Sequence, residues 1–131
     1  MALPPNLRWF KRREFKHPEL VDEEAAYFLD AVRAEYGASL VLTSDARTVA
    51  ENASIPGHST TSLHLQGRAF DLRWTFTKES LDRLVNAIYR VRDDMDVATE
   101  IELVRGPTDQ HVHIGVWPDS LHPSTLVLAL D

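Results

Sequence analysis

The sequence predicts an α+β fold: a small antiparallel sheet with helices packed on one face, forming a single domain over residues 1–131. Three observations predict it. Two stretches, Val21–Tyr36 and Lys78–Asp93, carry apolar residues at helical spacing. Short runs that alternate between apolar and polar residues lie between and after them, at Arg68–Trp74, Glu100–Val104 and His111–Trp117. The last two runs are split by the Gly106-Pro107 turn, and a connection that short favours antiparallel neighbours. A chain of 131 residues is one domain long. At that size it buries roughly two thirds of the surface its unfolded form exposes.

Residues 1–20 read as irregular, with prolines at 4, 5 and 18. In the first helix Val21, Ala25, Phe28, Leu29, Val32 and Tyr36 form one apolar stripe. Asp22, Glu23 and Glu24 suit the positive end of its dipole, and Gly37 its stop. Ser39–Ser44 is a nearly all-apolar run, expected as a strand buried on both faces. Residues 45–66 are polar, with a Pro56-Gly57 turn, and read as one long loop, a kind that is often functional. Thr77 is a good N-cap for the second helix, whose core face is Leu81, Leu84, Val85, Ile88 and Val91. Leu126–Leu130 is expected as an edge strand or a packed tail.

Composition narrows the function. Hydrophobic residues make up 44% and charged residues 26%, ordinary for a soluble protein. There is no cysteine, so any metal must be held by imidazole and carboxylate, which suits a catalytic zinc better than a structural one. A net charge of −6 disfavours nucleic acid as a partner. The basic stretch Arg8, Lys11, Arg12, Arg13, Lys16 is read as a solvated face, with Trp9, Phe10 and Phe15 packed inward. The N-terminus carries no Sec-type apolar region, and no run is long enough to span a membrane. The expectation is a protein made in the cytoplasm without stable membrane insertion, and monomeric.

Two segments carry the chemistry: Ser62-Leu63-His64-Leu65-Gln66-Gly67-Arg68-Ala69-Phe70-Asp71 and His111-Val112-His113-Ile114-Gly115-Val116-Trp117. Alternation puts Phe70, Leu72 and Trp74 toward the core, and with them Val112, Ile114 and Val116. Asp71 then shares the other face with His111 and His113, while His64 comes from the loop just before, which Gly67 lets turn tightly. Two imidazoles and a carboxylate on one face are enough for a zinc site with an open position. A histidine pair on a strand face is also common without a metal, so the pattern alone leaves both readings open. His17, His58 and His122 read as surface residues.

The run Ser62-x-His64-x-x-Gly67-x-Ala69-x-Asp71, with His111-x-His113 downstream, resembles the zinc-peptidase superfamily (peptidase family M15) of D-Ala-D-Ala carboxypeptidases, vancomycin-resistance dipeptidases, phage L-Ala-D-Glu endolysins and the hedgehog domain. The likeness spans roughly residues 10 to 117. Phe10–Phe15, Pro18–Asp22 and Leu29–Arg33 look like the N-terminal part of phage-type members, and Leu42–Thr48 like their strand and S-G-Y-R-T turn. The resemblance implies a hedgehog-like fold and a Zn²⁺ held by His64, Asp71 and His113. It also implies a peptidoglycan stem peptide as substrate. Arg47 matches an arginine that binds the substrate or its oxyanion, and Ser62 belongs to the same substrate-binding rim. A phage or prophage endolysin that acts at the cell wall once released fits this pattern.

The sequence departs from that pattern in three places. Many members place a catalytic glutamate three residues before the last ligand, where this chain has Gln110. An amide cannot take a proton, so His111, and after it Asp109, are the candidates for the proton-carrying role. Asp45-Ala46 replaces the usual Gly-Tyr, and the Gly-Gly of the following loop is absent from Asn52–Thr61. Gln110 also gives weight to an alternative: an inactive zinc-binding homologue serving as a binding or virion module.

Overall fold

The computed structural model describes residues 3–55, 61–105 and 110–130. The Pro56-Gly57 and Gly106-Pro107 turns, His58 and Asp109 lie outside the described residues. In chain order the elements are 3₁₀ turns at Arg12–Glu14 and Pro18–Leu20, α1 (Glu23–Tyr36), β1 (Leu42–Ser44), α2 (Val49–Ala53), a 3₁₀ turn at Leu63–Gln66, β2 (Ala69–Arg73), α3 (Lys78–Met95), β3 (Ala98–Arg105), β4 (Gln110–Trp117) and β5 (Thr125–Leu130). No helix among the described residues is long and apolar enough to cross a membrane.

The helix ends follow from their capping residues. The Asp22 side chain accepts the Ala25 N–H at the start of α1, and Gly37, at φ 78°, closes it by donating to the Arg33 carbonyl. Thr77 and Ser80 cap each other reciprocally at the start of α3. Thr48 and Glu51 do the same for α2, which breaks up the stretch expected as one long loop.

The five strands are ordered β1-β2-β4-β3-β5. Neighbours are antiparallel except β3 and β5, which run parallel, so the sheet is mixed rather than purely antiparallel. The cause lies in the last connection. The chain leaves β4 at Trp117, opposite Ala98, and enters β5 at Thr125 beside Glu100. It therefore steps across the beginning of β3 and must run in the same direction. β1 also differs from expectation. It is a three-residue edge strand with a register irregularity, paired to β2 only, and Val41, just before it, is 42% exposed rather than buried.

Helices α1 and α3 pack on one face of the sheet. Phe28, Leu29 and Val32 of α1 meet Leu84, Ile88 and Val91 of α3 above Phe70, Leu72, Ile101, Val112, Ile114 and Val116. Full burial of each large side chain contributes roughly 1.5–3 kcal/mol. The first twenty residues are irregular yet anchored. The buried Asp30 carboxylate accepts three backbone N–H groups, from Arg8 (3.0 Å), Trp9 (2.8 Å) and Phe10 (2.9 Å). Phe10 stacks edge-on against Phe15, and Phe15 against Phe70. The basic side chains of this arm are exposed, as expected, but so is Trp9, which does not pack inward.

Candidate metal centre

The face of the sheet away from α1 and α3 carries the polar residues. Asp71 on β2 lies opposite His113 on β4, and Arg73 opposite His111. The alternation that buries Phe70, Leu72, Val112 and Ile114 at 0% exposure forces Asp71, His111 and His113 onto this second face.

His64 arrives from the 3₁₀ turn Leu63–Gln66. Gly67 ends that turn at φ 68°, and a Cβ there would sit 2.0 Å from the Leu20 carbonyl oxygen. Only glycine fits on both counts. The next residue, Arg68, bolts the turn in place. Its Nε donates to the Val116 carbonyl at 2.8 Å and its Nη1 to Asp22 at 2.6 Å, while Nη2 reaches Glu24 and the Trp117 carbonyl. Sequence reasoning gave Arg68 no role; its position beside the motif was the available signal.

These supports bring His64, Asp71 and His113 together. His64 Nε2 is 3.3 Å and His113 Nδ1 3.1 Å from Asp71 Oδ1. One ligand-type atom from each residue lies within 4.8 Å of the others. His64 is 2% and Asp71 7% exposed. Behind the cluster, His64 Nδ1 contacts the Asp45 carbonyl at 2.6 Å, and His113 Nε2 contacts Glu100 Oε2 at 2.5 Å. Each imidazole thus has an acceptor on one nitrogen and turns the other toward Asp71.

The electrostatics suit a cation at the centre. Burial by itself would raise the Asp71 pKa, but hydrogen bonds from His113 and His64 and their charge outweigh it, holding the carboxyl far below its ordinary range. For His113, burial would lower the pKa, yet its hydrogen bonds to Asp71 and Glu100 and their charges raise it to about 9. Without a metal, the cluster therefore retains a proton on His113 at neutral pH. Two imidazoles and one carboxylate, with no fourth donor in the group among the described residues, fit zinc in its catalytic rather than its structural arrangement.

The cluster sits in a cleft of about 360 Å³ that Arg47, Ser62, His111, Glu100, Glu102 and Trp117 help to line. Arg47 Nη2 is 3.6 Å and His111 Nε2 3.9 Å from the Asp71 carboxylate. Ser62 has a second task, accepting the His64 N–H at 3.2 Å. Gln110 opens β4 opposite Arg105 and is out of phase with His111 and His113, so it belongs to the other face of the strand. Glu100 and Glu102 were missed from sequence, although the Glu100-Ile101-Glu102-Leu103 alternation already put both carboxylates on one face of a strand.

The Asp45 carboxylate accepts the Lys16 and His17 N–H groups at 2.6 and 3.0 Å, which gives the departure from the usual glycine a structural use. The two described surface histidines are less free than expected. His17 lies 3.0 Å from Glu51, and His122 stacks on Trp117 with ring centres 3.7 Å apart.

No curated protein and no solved structure matches this chain. A family model does: the one described as Peptidase M15 matches residues 9–115. That span covers most of the sequence and takes in His64, Asp71 and His113 alike. The chain belongs to the peptidase M15 family, a family of zinc metallopeptidases.

Proposed function

We propose that the protein is a zinc-dependent peptidase that hydrolyses peptidoglycan stem peptides, at a terminal D-Ala-D-Ala or an internal L-Ala-D-Glu bond. The observation that carries this reading is the convergence of His64, Asp71 and His113 at a cleft on the helix-free face of the sheet. Zinc, when bound, supplies a Lewis acid that polarises a peptide carbonyl and activates water.

The chain's own residues divide the remaining work. Arg47 reaches the cleft with a planar guanidinium that holds a substrate carboxylate or the developing oxyanion in two-point fashion. His111, on the ligand face and within 3.9 Å of Asp71, is placed to carry a proton between water and the leaving amine. Asp109 is the second candidate for that role. Ser62 contributes to the rim.

We further propose that residues 1–131 act as one monomeric domain, that the protein is of phage or prophage origin, and that it works on the cell wall after release. An inactive homologue is the competing reading, and Gln110, at the position where many members carry a catalytic glutamate, is the residue that favours it. Elemental analysis of the purified protein beside His64→Ala tests the metal, and release of new amino termini from purified peptidoglycan tests turnover. About one zinc per chain with no digestion would support the inactive alternative. No zinc at all would overturn the peptidase reading.

A further inference from the structure

The proposed zinc site holds a carboxylate that is not among its ligands. Glu100 stands on β3, the strand on the other side of β4 from β2, and its Cα is paired with Gly115. From there its side chain reaches sideways to His113, placing Oε2 2.5 Å from Nε2. The other nitrogen of the same ring, Nδ1, is the one 3.1 Å from Asp71.

We propose that Glu100 is a positioning residue, which fixes the His113 imidazole with its hydrogen on Nε2 and its lone pair on Nδ1, aimed at the metal. The inference rests on the zinc reading given above. An ionised carboxylate only accepts hydrogen bonds, so when a metal takes the Nδ1 lone pair the nitrogen against Glu100 keeps the ring's one hydrogen. His64 has the opposite arrangement. Its Nδ1 faces the Asp45 carbonyl, another pure acceptor, and its Nε2 faces the cluster. The two imidazoles are thus held as opposite tautomers, each by an acceptor behind it, the arrangement that orients metal-binding histidines and raises their basicity.

Gly115 makes room for this contact. A Cβ at that position would lie 3.0 Å from Glu100 Cγ, 3.2 Å from Glu100 Oε2 and 2.7 Å from Leu63 Cδ1. A side chain there would push the carboxylate off its path across the strand. It would also press on the residue that precedes His64.

The test is zinc affinity of the full chain, by competition with a chromophoric chelator, for the parent, Glu100→Ala, Glu100→Gln and Gly115→Ala. Glu100→Ala is expected to weaken zinc binding by about 10–100-fold at unchanged stoichiometry. Glu100→Gln, which keeps an acceptor oxygen, recovers most of the loss, and Gly115→Ala falls between. Long-range ¹H–¹⁵N spectra of the zinc-loaded parent are expected to show His113 protonated at Nε2.

Equal affinity in parent and Glu100→Ala would overturn the positioning role while leaving the zinc site standing. So would Nε2 as the metal-bound nitrogen, a Glu100→Gln loss as large as that of His113→Ala, or a melting temperature of metal-free Glu100→Ala far below that of the metal-free parent. A parent that binds no zinc would overturn the zinc reading and this inference together.

Discussion

Asp71 and His113 are direct cross-strand partners, and the carboxylate oxygen that faces His113 Nδ1 at 3.1 Å also faces His64 Nε2 at 3.3 Å. One oxygen is therefore shared by two imidazoles. Replacing Asp71 with Ala removes a ligand and the acceptor that both rings face. Zinc content is expected to fall from about one per chain to background, by elemental analysis after dialysis. Retention of zinc in Asp71→Ala would place the metal elsewhere.

Metal-free protein should show a specific pH response. The His113 pKa is raised from 6.5 to about 9 in the folded chain, so its contribution to stability is complete below about 6.5. That contribution disappears as pH rises through about 9. Urea midpoints of the zinc-free chain should fall between pH 6.5 and 9.5, by up to roughly 3 kcal/mol in unfolding free energy. Zinc affinity should rise over the same interval, because the metal displaces that proton. A flat urea midpoint across the interval would contradict the His113 assignment.

Arg68→Ala should be among the most damaging substitutions outside the ligands. Arg68 and Asp22 are both buried, at 7% and 6% exposure, and the change leaves the carboxylate without its cationic partner. Breaking such a pair from one side costs about 3–5 kcal/mol. Chemical denaturation reads this directly, and a loss below about 1 kcal/mol would show that water replaces the guanidinium.

His111 and Gln110 are adjacent in sequence but belong to opposite faces of β4, so their variants should behave differently. His111→Ala is expected to lower kcat by about 10²–10⁴-fold with zinc content unchanged. Gln110→Ala should leave kcat within about twofold, an outcome set by strand alternation. The reverse ranking would move the proton-carrying role to the start of β4.

Much of this arrangement was legible in the sequence, where a local rule determined it. Gly37 marked a helix end by its freedom to take positive φ and Thr77 one by its capping hydroxyl, and alternation placed Asp71 and His113 on one face, while Asp22, read as part of the first turn, caps α1 instead. Thr48-x-x-Glu51 announced α2 by the same capping logic, although the polar stretch around it read as loop. What stayed hidden depended on which strands become neighbours. Glu100 matters because β3 lies beside β4, and the stretch expected as a buried strand pairs on one side only because β1 is at the sheet edge. The direction of β5 was equally unreadable, since it depends on where the chain crosses β3.

Asp45 faces two ways: its carboxylate grips the backbone at Lys16 and His17, and its carbonyl steadies the ring of His64. The N-terminal arm is therefore mechanically continuous with a proposed zinc ligand, though none of its described residues lines the cleft. A shortened version starting at α1 would keep every residue of the motif and still loosen its first histidine. Anyone seeking the smallest working form of this protein should count the arm as part of the metal site.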